Sequence, residues 1–187
     1  MKTHEIHEAV ALLTDAVKQW KSPAVTIVSQ REGNPFKVLI SCILSLRTQD
    51  RTTGAASERL FTLADTPGKM VELPGEVIEK AIYPVGFYRN KTVNILEICR
   101  ELIGSYNGSV PDSIDELLKL KGVGRKTANL VVTLGFGKPG ICVDTHVHRI
   151  CNRWGYVKTG TPEETEFALR KKLPKEYWIV INDLLVT

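Results

Sequence analysis

Within residues 117–137 the chain reads LLKLKGVGRKTANLVVTLGFG, and one spacing in it leaves little structural freedom. Apolar Leu117 and Leu120 precede Gly122-Val123-Gly124, small Ala128 follows four residues later, and Val131 and Val132 lie beyond. Two helices joined by so short a turn must approach closely, and glycine supplies the backbone angles that other residues resist. Such a turn aims backbone N–H groups outward at the head of the second helix, where the dipole favours a phosphate without reading any base. Lys121, Arg125 and Lys126 add positive charge nearby. A plain αα-hairpin can use the same G-x-G turn; the full spacing, with Ala128 and the flanking apolar residues, is more specific.

Almost every other segment repeats apolar residues at three and four, the helical period. Residues 3–20 predict an amphipathic helix. The run 22–31 holds β-branched Val25, Thr26, Ile27 and Val28 and is ambiguous; it is read as helix. Asn34-Pro35 starts 36-FKVLISCILSLR-47, apolar on all sides and therefore central. Further helices are expected over 51–64, after Thr66, after Leu73, and over about 89–106. Others follow over 113–120, with Ser113 and Glu116 as a capping box, and near 125–135, 145–154, 162–173 and 175–187. No alternating strand stands out, so the expected fold is all-α. The last segment stops without a C-cap signal and looks cut short.

At 187 residues, 43% hydrophobic and 25% charged, the chain can bury a core, which argues against disorder. A net charge of +4 permits a polyanionic partner without identifying one. Cys42, Cys99, Cys142 and Cys151 show neither a C-x-x-C pair nor metal-ligand spacing, and read as thiols of a reducing compartment. The longest apolar run, 38–46, is too short to span a bilayer, and the polar N-terminus has no signal-peptide pattern. A cytoplasmic protein with no membrane partner is the simplest expectation.

Lys126 falls in the first turn of the second hairpin helix. The positive end of the dipole, adjacent Arg125 and partial burial should all disfavour its ammonium form, and only the free amine is a nucleophile. Phosphate binding is the other use of a lysine there. In 143-VDTHVHRICNRWGY-156, Asp144 precedes a helical pattern, where it can cap the helix and still present a carboxylate. His146 and His148 form an H-x-H pair, but two residues apart on a helix they point to different faces, so packing roles are expected rather than a metal. Arg149 and Arg153 share a face that is either solvated or in contact with nucleic acid.

Together, 120-LKGVGRKTANLVV-132 and 143-VDTHVHRICNR-153 resemble the endonuclease III family of DNA glycosylases, which carry a helix-hairpin-helix and a Gly/Pro…Asp signature. The step of 18 residues from Lys126 to Asp144 (144 − 126) matches that family's pattern. The resemblance runs from about Asn34 to the C-terminus, through 34-NPFKVLISCILS-45 and 85-VGFYRNKTVNI-95. It implies an all-α, two-lobed helix-hairpin-helix DNA glycosylase fold with a central DNA-binding cleft. One lobe would be a six-helix barrel over 28–138, the other a helical lobe formed by 1–27 plus 139–187.

By the same resemblance Lys126 and Asp144 are the catalytic pair, one from each lobe, acting on a nucleotide turned out of the duplex. Lys121, Gly122, Val123, Gly124, Arg125 and Arg149 would hold the DNA. Phe87 matches the family's wedge position, although a core aromatic at a helix start is the plain alternative. Arg47 falls where several relatives have glutamine, and Gln49 lies two residues on; either could fill the space opposite the damage. The implied activity is bifunctional: removal of an oxidised pyrimidine through an imine on Lys126, then β-elimination. The adenine-removing branch lacks that lysine. The implied partner is double-stranded DNA with damaged bases or abasic sites, bound by a monomer. A mismatch-specific thymine or uracil glycosylase and a non-catalytic DNA-binding hairpin are the alternatives.

Two departures stand out. The family's L-P-G-V-G carries Lys121 in place of proline, which adds a possible phosphate contact. Most members also hold a [4Fe–4S] cluster on four cysteines beyond a segment like 177–187, and the cysteines here do not match that spacing. No cofactor is expected on the residues present; the cluster is expected only if the natural chain continues past Thr187.

Overall fold

Helix starts follow the capping residues. Asn34, Thr66, Ser113, Asp144 and Thr161 each accept a backbone N–H with a side-chain oxygen at the head of a helix, satisfying donors that have no partner within it. The computed structural model describes residues 5–20 and 22–186, and of 31 and 32 the backbone alone. The first two residues of the helix expected over 3–20 lie outside the described residues. No strand occurs among the described residues, and none of their helices is long and apolar enough to cross a membrane.

The chain divides into two compact units, Ala24–Gly137 and Met1–Pro23 with Lys138–Thr187. The first contains α2 (Ala24–Glu32), α3 (Pro35–Ser45), α4 (Asp50–Leu63), α5 (Pro67–Glu72), α6 (Gly75–Ile82), α7 (Tyr88–Tyr106), α8 (Ile114–Leu117) and α9 (Arg125–Leu130). The second contains α1 (Glu5–Ala16), α10 (Thr145–Arg153), α11 (Pro162–Lys172) and α12 (Ile181–Val186).

α3 is central to the larger unit, as its all-round apolarity predicts. Val38, Leu39, Ile40, Ile43 and Leu44 are fully buried, and α2, α4, α7 and α9 all pack against the helix. Each such side chain contributes roughly 1.5–3 kcal/mol by leaving water. In the smaller unit Ile6, Val10, Val147, Cys151, Tyr156, Leu169, Ile181 and Leu184 form a separate core. The segment of β-branched residues at 25–28 is helical, because Val25 packs into the core of α3 and α4.

Three expected helices differ. The one over 113–120 closes at Leu117: Lys119 N–H and Leu120 N–H bond back only three residues, to Glu116 and Leu117, tightening the chain toward the turn. Its capping box is half formed. Ser113 Oγ accepts Glu116 N–H, while the Glu116 carboxylate accepts from Tyr106 Oη at 2.9 Å and Lys119 Nζ at 2.6 Å.

The helix over 125–135 is α-helical only to Leu130 and widens into a π turn over Val131–Gly135. There Thr133 Oγ1 donates to the carbonyls of Asn129 and Leu130, and Ser29 Oγ takes the Leu134 carbonyl at 2.6 Å. The segment 175–187 is interrupted: a single 3₁₀ turn spans Lys175–Tyr177, and helix resumes at Ile181. Tyr177 Oη bonds His7 Nδ1 at 2.7 Å and Trp178 Nε1 bonds the Leu173 carbonyl at 2.9 Å, drawing the chain off a helical path.

Candidate active site

The turn between α8 and α9 has the expected apolar register. Leu117, Leu120, Val123, Ala128, Val131 and Val132 are all buried. Gly122 holds φ +75°, a backbone angle that calls for glycine, and a Cβ built there would also have to push the Asn94 amide on α7 aside. Gly124 is the N-cap of α9 at φ −94°, with no side chain over the helix head and open space where a Cβ would sit. Gly124 thus leaves the head of α9 without a side-chain cap of its own, as Gln49, Pro74 and Phe87 do at α4, α6 and α7.

Lys126 is the second residue of α9, and its side chain is exposed. The partial burial expected of it is not found, because Thr127, Ala128 and Asn129 take the inward face of the short helix. Its charge is nevertheless felt at Cys42 on α3, where it opposes the effect of burial on that thiol. Arg125 is half-buried. Lys121 is exposed and pairs with Glu97 of α7, Nζ to carboxylate at 2.9–3.0 Å, tying the turn to that helix. At such exposure the pair is worth at most about 1 kcal/mol.

Asp144 is 9% exposed and caps α10, its Oδ1 accepting the N–H groups of His146 and Val147 at 2.9 Å each. Next on α10, His146 Nδ1 faces the exposed Arg149 at 3.3 Å, and His148 Nδ1 meets Thr165 Oγ1 at 2.7 Å. The two imidazoles do point apart. Arg153 is also exposed.

Two loops of the larger unit meet beside α7. Phe87, the N-cap of that helix, is 61% exposed, so it is no core aromatic. Its ring lies 5.8 Å from the Arg47 guanidinium, and both residues have positive φ, 57° and 52°. Gln49 is exposed at the N-cap of α4 and makes no capping bond. A residue not anticipated joins the loops: Lys91 is buried, and its Nζ donates to the carbonyls of Leu44 and Leu46 and to Thr48 Oγ1. The signal was present in the sequence, because Lys91 falls on the apolar stripe of Ile95, Ile98 and Leu102.

Among the described residues no group of three or more His, Cys, Asp or Glu could hold a metal ion. All four cysteines are buried and none is in a disulfide, and burial pushes the thiols of Cys42, Cys99 and Cys151 up to about 12. An iron–sulfur cluster needs clustered thiolates, so these residues do not fit one.

Residues 40–175 match the HhH-GPD superfamily base excision DNA repair protein family. The chain is 52% identical over 158 residues to endonuclease III of Thermotoga maritima, an alignment covering 84% of this chain and 74% of that protein. It is 38% identical over 156 residues to endonuclease III of Escherichia coli, covering 80% and 74%. The structure is similar to that of endonuclease III in a non-covalent complex with DNA, with TM-score 0.86 and 36% identity over 100% of this chain and 85% of that one. A trapped endonuclease III–DNA covalent intermediate gives 0.84 and 35% over the same shares. A thermostable thymine-DNA glycosylase, 22% identical, shares the fold at TM-score 0.80 over 97% of this chain and 83% of that one.

Proposed function

The chain belongs to the HhH-GPD superfamily of base excision DNA repair proteins, and from that premise we infer that Lys126 is the amine through which it works on damaged duplex DNA. It is a DNA glycosylase and abasic-site lyase of base excision repair. The observation that carries the assignment of Lys126 is its exposure in the first turn of α9, directly after the glycine turn proposed to hold a phosphate. An amine so placed can be reached by an extruded sugar, which the buried Lys91 cannot.

In the proposed reaction the neutral Nζ attacks C1′ of the damaged nucleotide, and the bond from C1′ to the base breaks with its electrons and a proton leaving on the base. As that bond weakens C1′ gains positive charge, which the Asp144 carboxylate stabilises. The sugar ring opens to an imine between Nζ and C1′, and this acidifies the proton on C2′. Loss of that proton expels the 3′ phosphate by β-elimination, and water then releases the imine and restores the amine. Backbone N–H groups about Gly122, Val123 and Gly124, with Lys121, Arg125 and Arg149, bind phosphate, and Phe87 with Arg47 or Gln49 replaces the extruded nucleotide. An oxidised pyrimidine is the proposed substrate base, and the proposed location is the cytoplasm, with the nucleoid in a bacterial or archaeal cell.

Borohydride reduction tests this reading. A covalent adduct with thymine-glycol or abasic-site DNA is expected from the wild type and is lost in Lys126→Ala. Persistence of the adduct in that variant would overturn the assignment of the amine. A panel of duplexes with thymine glycol, or with thymine or uracil opposite guanine, decides the base.

A further inference from the structure

The proposed chemistry has no use for the lysine buried near the head of α7. Lys91 is 7% exposed, and its Nζ donates at 2.8 Å to the Leu44 carbonyl, 2.6 Å to that of Leu46 and 3.1 Å to Thr48 Oγ1. The two carbonyls lie at the end of α3, where the last turn of a helix lacks partners and the dipole is negative, so an ammonium closes it well. Thr48 Oγ1 accepts a second bond, from Gly86 N–H at 3.1 Å. The turn and loop touch so closely that a Cβ on Gly86 would come within 2.7 Å of the Arg47 carbonyl oxygen.

We propose that Lys91 is a positioning residue, whose ammonium clamps the loop 46–49 to the Gly86-Phe87 turn so that Arg47 and Phe87 enter damaged DNA as one preformed probe. This rests on the reading of Phe87 and the Arg47 loop as the elements that replace the extruded nucleotide. A charge on an apolar stripe costs stability that leucine would not, since burial disfavours the ammonium and pushes it down to about 8. What the charge supplies in return is three directed bonds, fixing two loops whose tips are held in left-handed conformations. Lys91 is no second nucleophile: its Nζ is enclosed by the oxygens it donates to.

The test is competition between a duplex holding a tetrahydrofuran abasic-site analogue and the same duplex undamaged, with 2-aminopurine beside the lesion to report unstacking. Lys91→Met and Thr48→Val are each expected to lose about tenfold or more of the preference for the abasic duplex, with a lower 2-aminopurine signal. Affinity for undamaged duplex, which the hairpin supplies, is retained. Thr48→Ser restores preference and signal together. Unchanged preference and signal in folded Lys91→Met overturn the proposal, as does a loss that follows melting temperature and is not rescued by serine. If Lys91→Met does not fold, Thr48→Val decides alone. Phe87→Ala separates the two layers: if it too keeps the preference, the probe reading fails, and if it alone loses it, only the role of Lys91 is overturned.

Discussion

The Arg47 guanidinium lies 5.8 Å from the ring centre of Phe87, and both residues hold left-handed backbone angles that neither side chain favours. Each such residue costs of order 1–3 kcal/mol. Phe87→Gly removes that strain but adds roughly 0.5–1 kcal/mol of chain entropy to the unfolded state. Since the ring is 61% exposed, little packing is lost. The melting temperature of Phe87→Gly should therefore stay close to wild type while its preference for abasic-site duplex falls. Thermal unfolding and competition binding check the two halves separately.

Gly122 and Gly124 are two residues apart and should respond differently to alanine. At Gly122, φ +75° and the Asn94 amide both oppose a methyl, so Gly122→Ala should lose about 1–2 kcal/mol or more of stability. Gly124 sits at φ −94° in open space, and Gly124→Ala should change stability by no more than about 0.5 kcal/mol. Its DNA affinity should still drop, because the methyl keeps a phosphate from the head of α9. Urea unfolding with a filter-binding titration resolves the pair.

Asp144 has a structural duty that can be separated from its proposed chemical one. Asparagine caps a helix as well as aspartate, so Asp144→Asn should keep the bonds to His146 and Val147 and unfold like wild type. Base excision should collapse while DNA binding holds. Asp144→Ala should in addition cost about 1 kcal/mol of stability. Excision at wild-type rate in the asparagine variant would remove the carboxylate from the mechanism.

Burial raises the Cys42, Cys99 and Cys151 thiols from a usual value near 9 to about 12, with Lys126 opposing the rise at Cys42 and Arg100 at Cys99. Only thiolate reacts with disulfide reagents, so the folded protein should resist Ellman's reagent at pH 8 and react once urea unfolds it. Above about pH 9 the unfolded chain releases these protons while the folded chain keeps them, so these groups make stability fall as pH rises from about 9 to 12. Denaturant midpoints across that range provide the check.

Sequence patterns gave the hairpin residue by residue, because glycine needs and apolar spacing are local properties: Leu117, Leu120, Val123 and Ala128 are buried in the expected register. The cap at Asp144 and the proline-marked helix starts at Pro35 and Pro67 were legible for the same reason. The exposure of Lys126 was not, since it depends on which face of a short helix meets α3. The pairing of Lys121 with Glu97 and the break before Ile181 likewise depend on residues 24 and more positions away, such as His7 for Tyr177. Lys91 was visible as a charge on an apolar stripe, but its three acceptors lie 43 to 47 residues earlier in the chain.

α7 begins at the Phe87 tip and, about two to three turns on, meets the hairpin through Asn94 and Glu97. The interval between the Phe87 turn and the hairpin is thus gauged by a helix rising about 1.5 Å per residue, which cannot lengthen without unwinding. The spacing of the Phe87 turn and the hairpin along α7 is therefore rigid, and neither can shift toward the other without breaking backbone bonds of that helix.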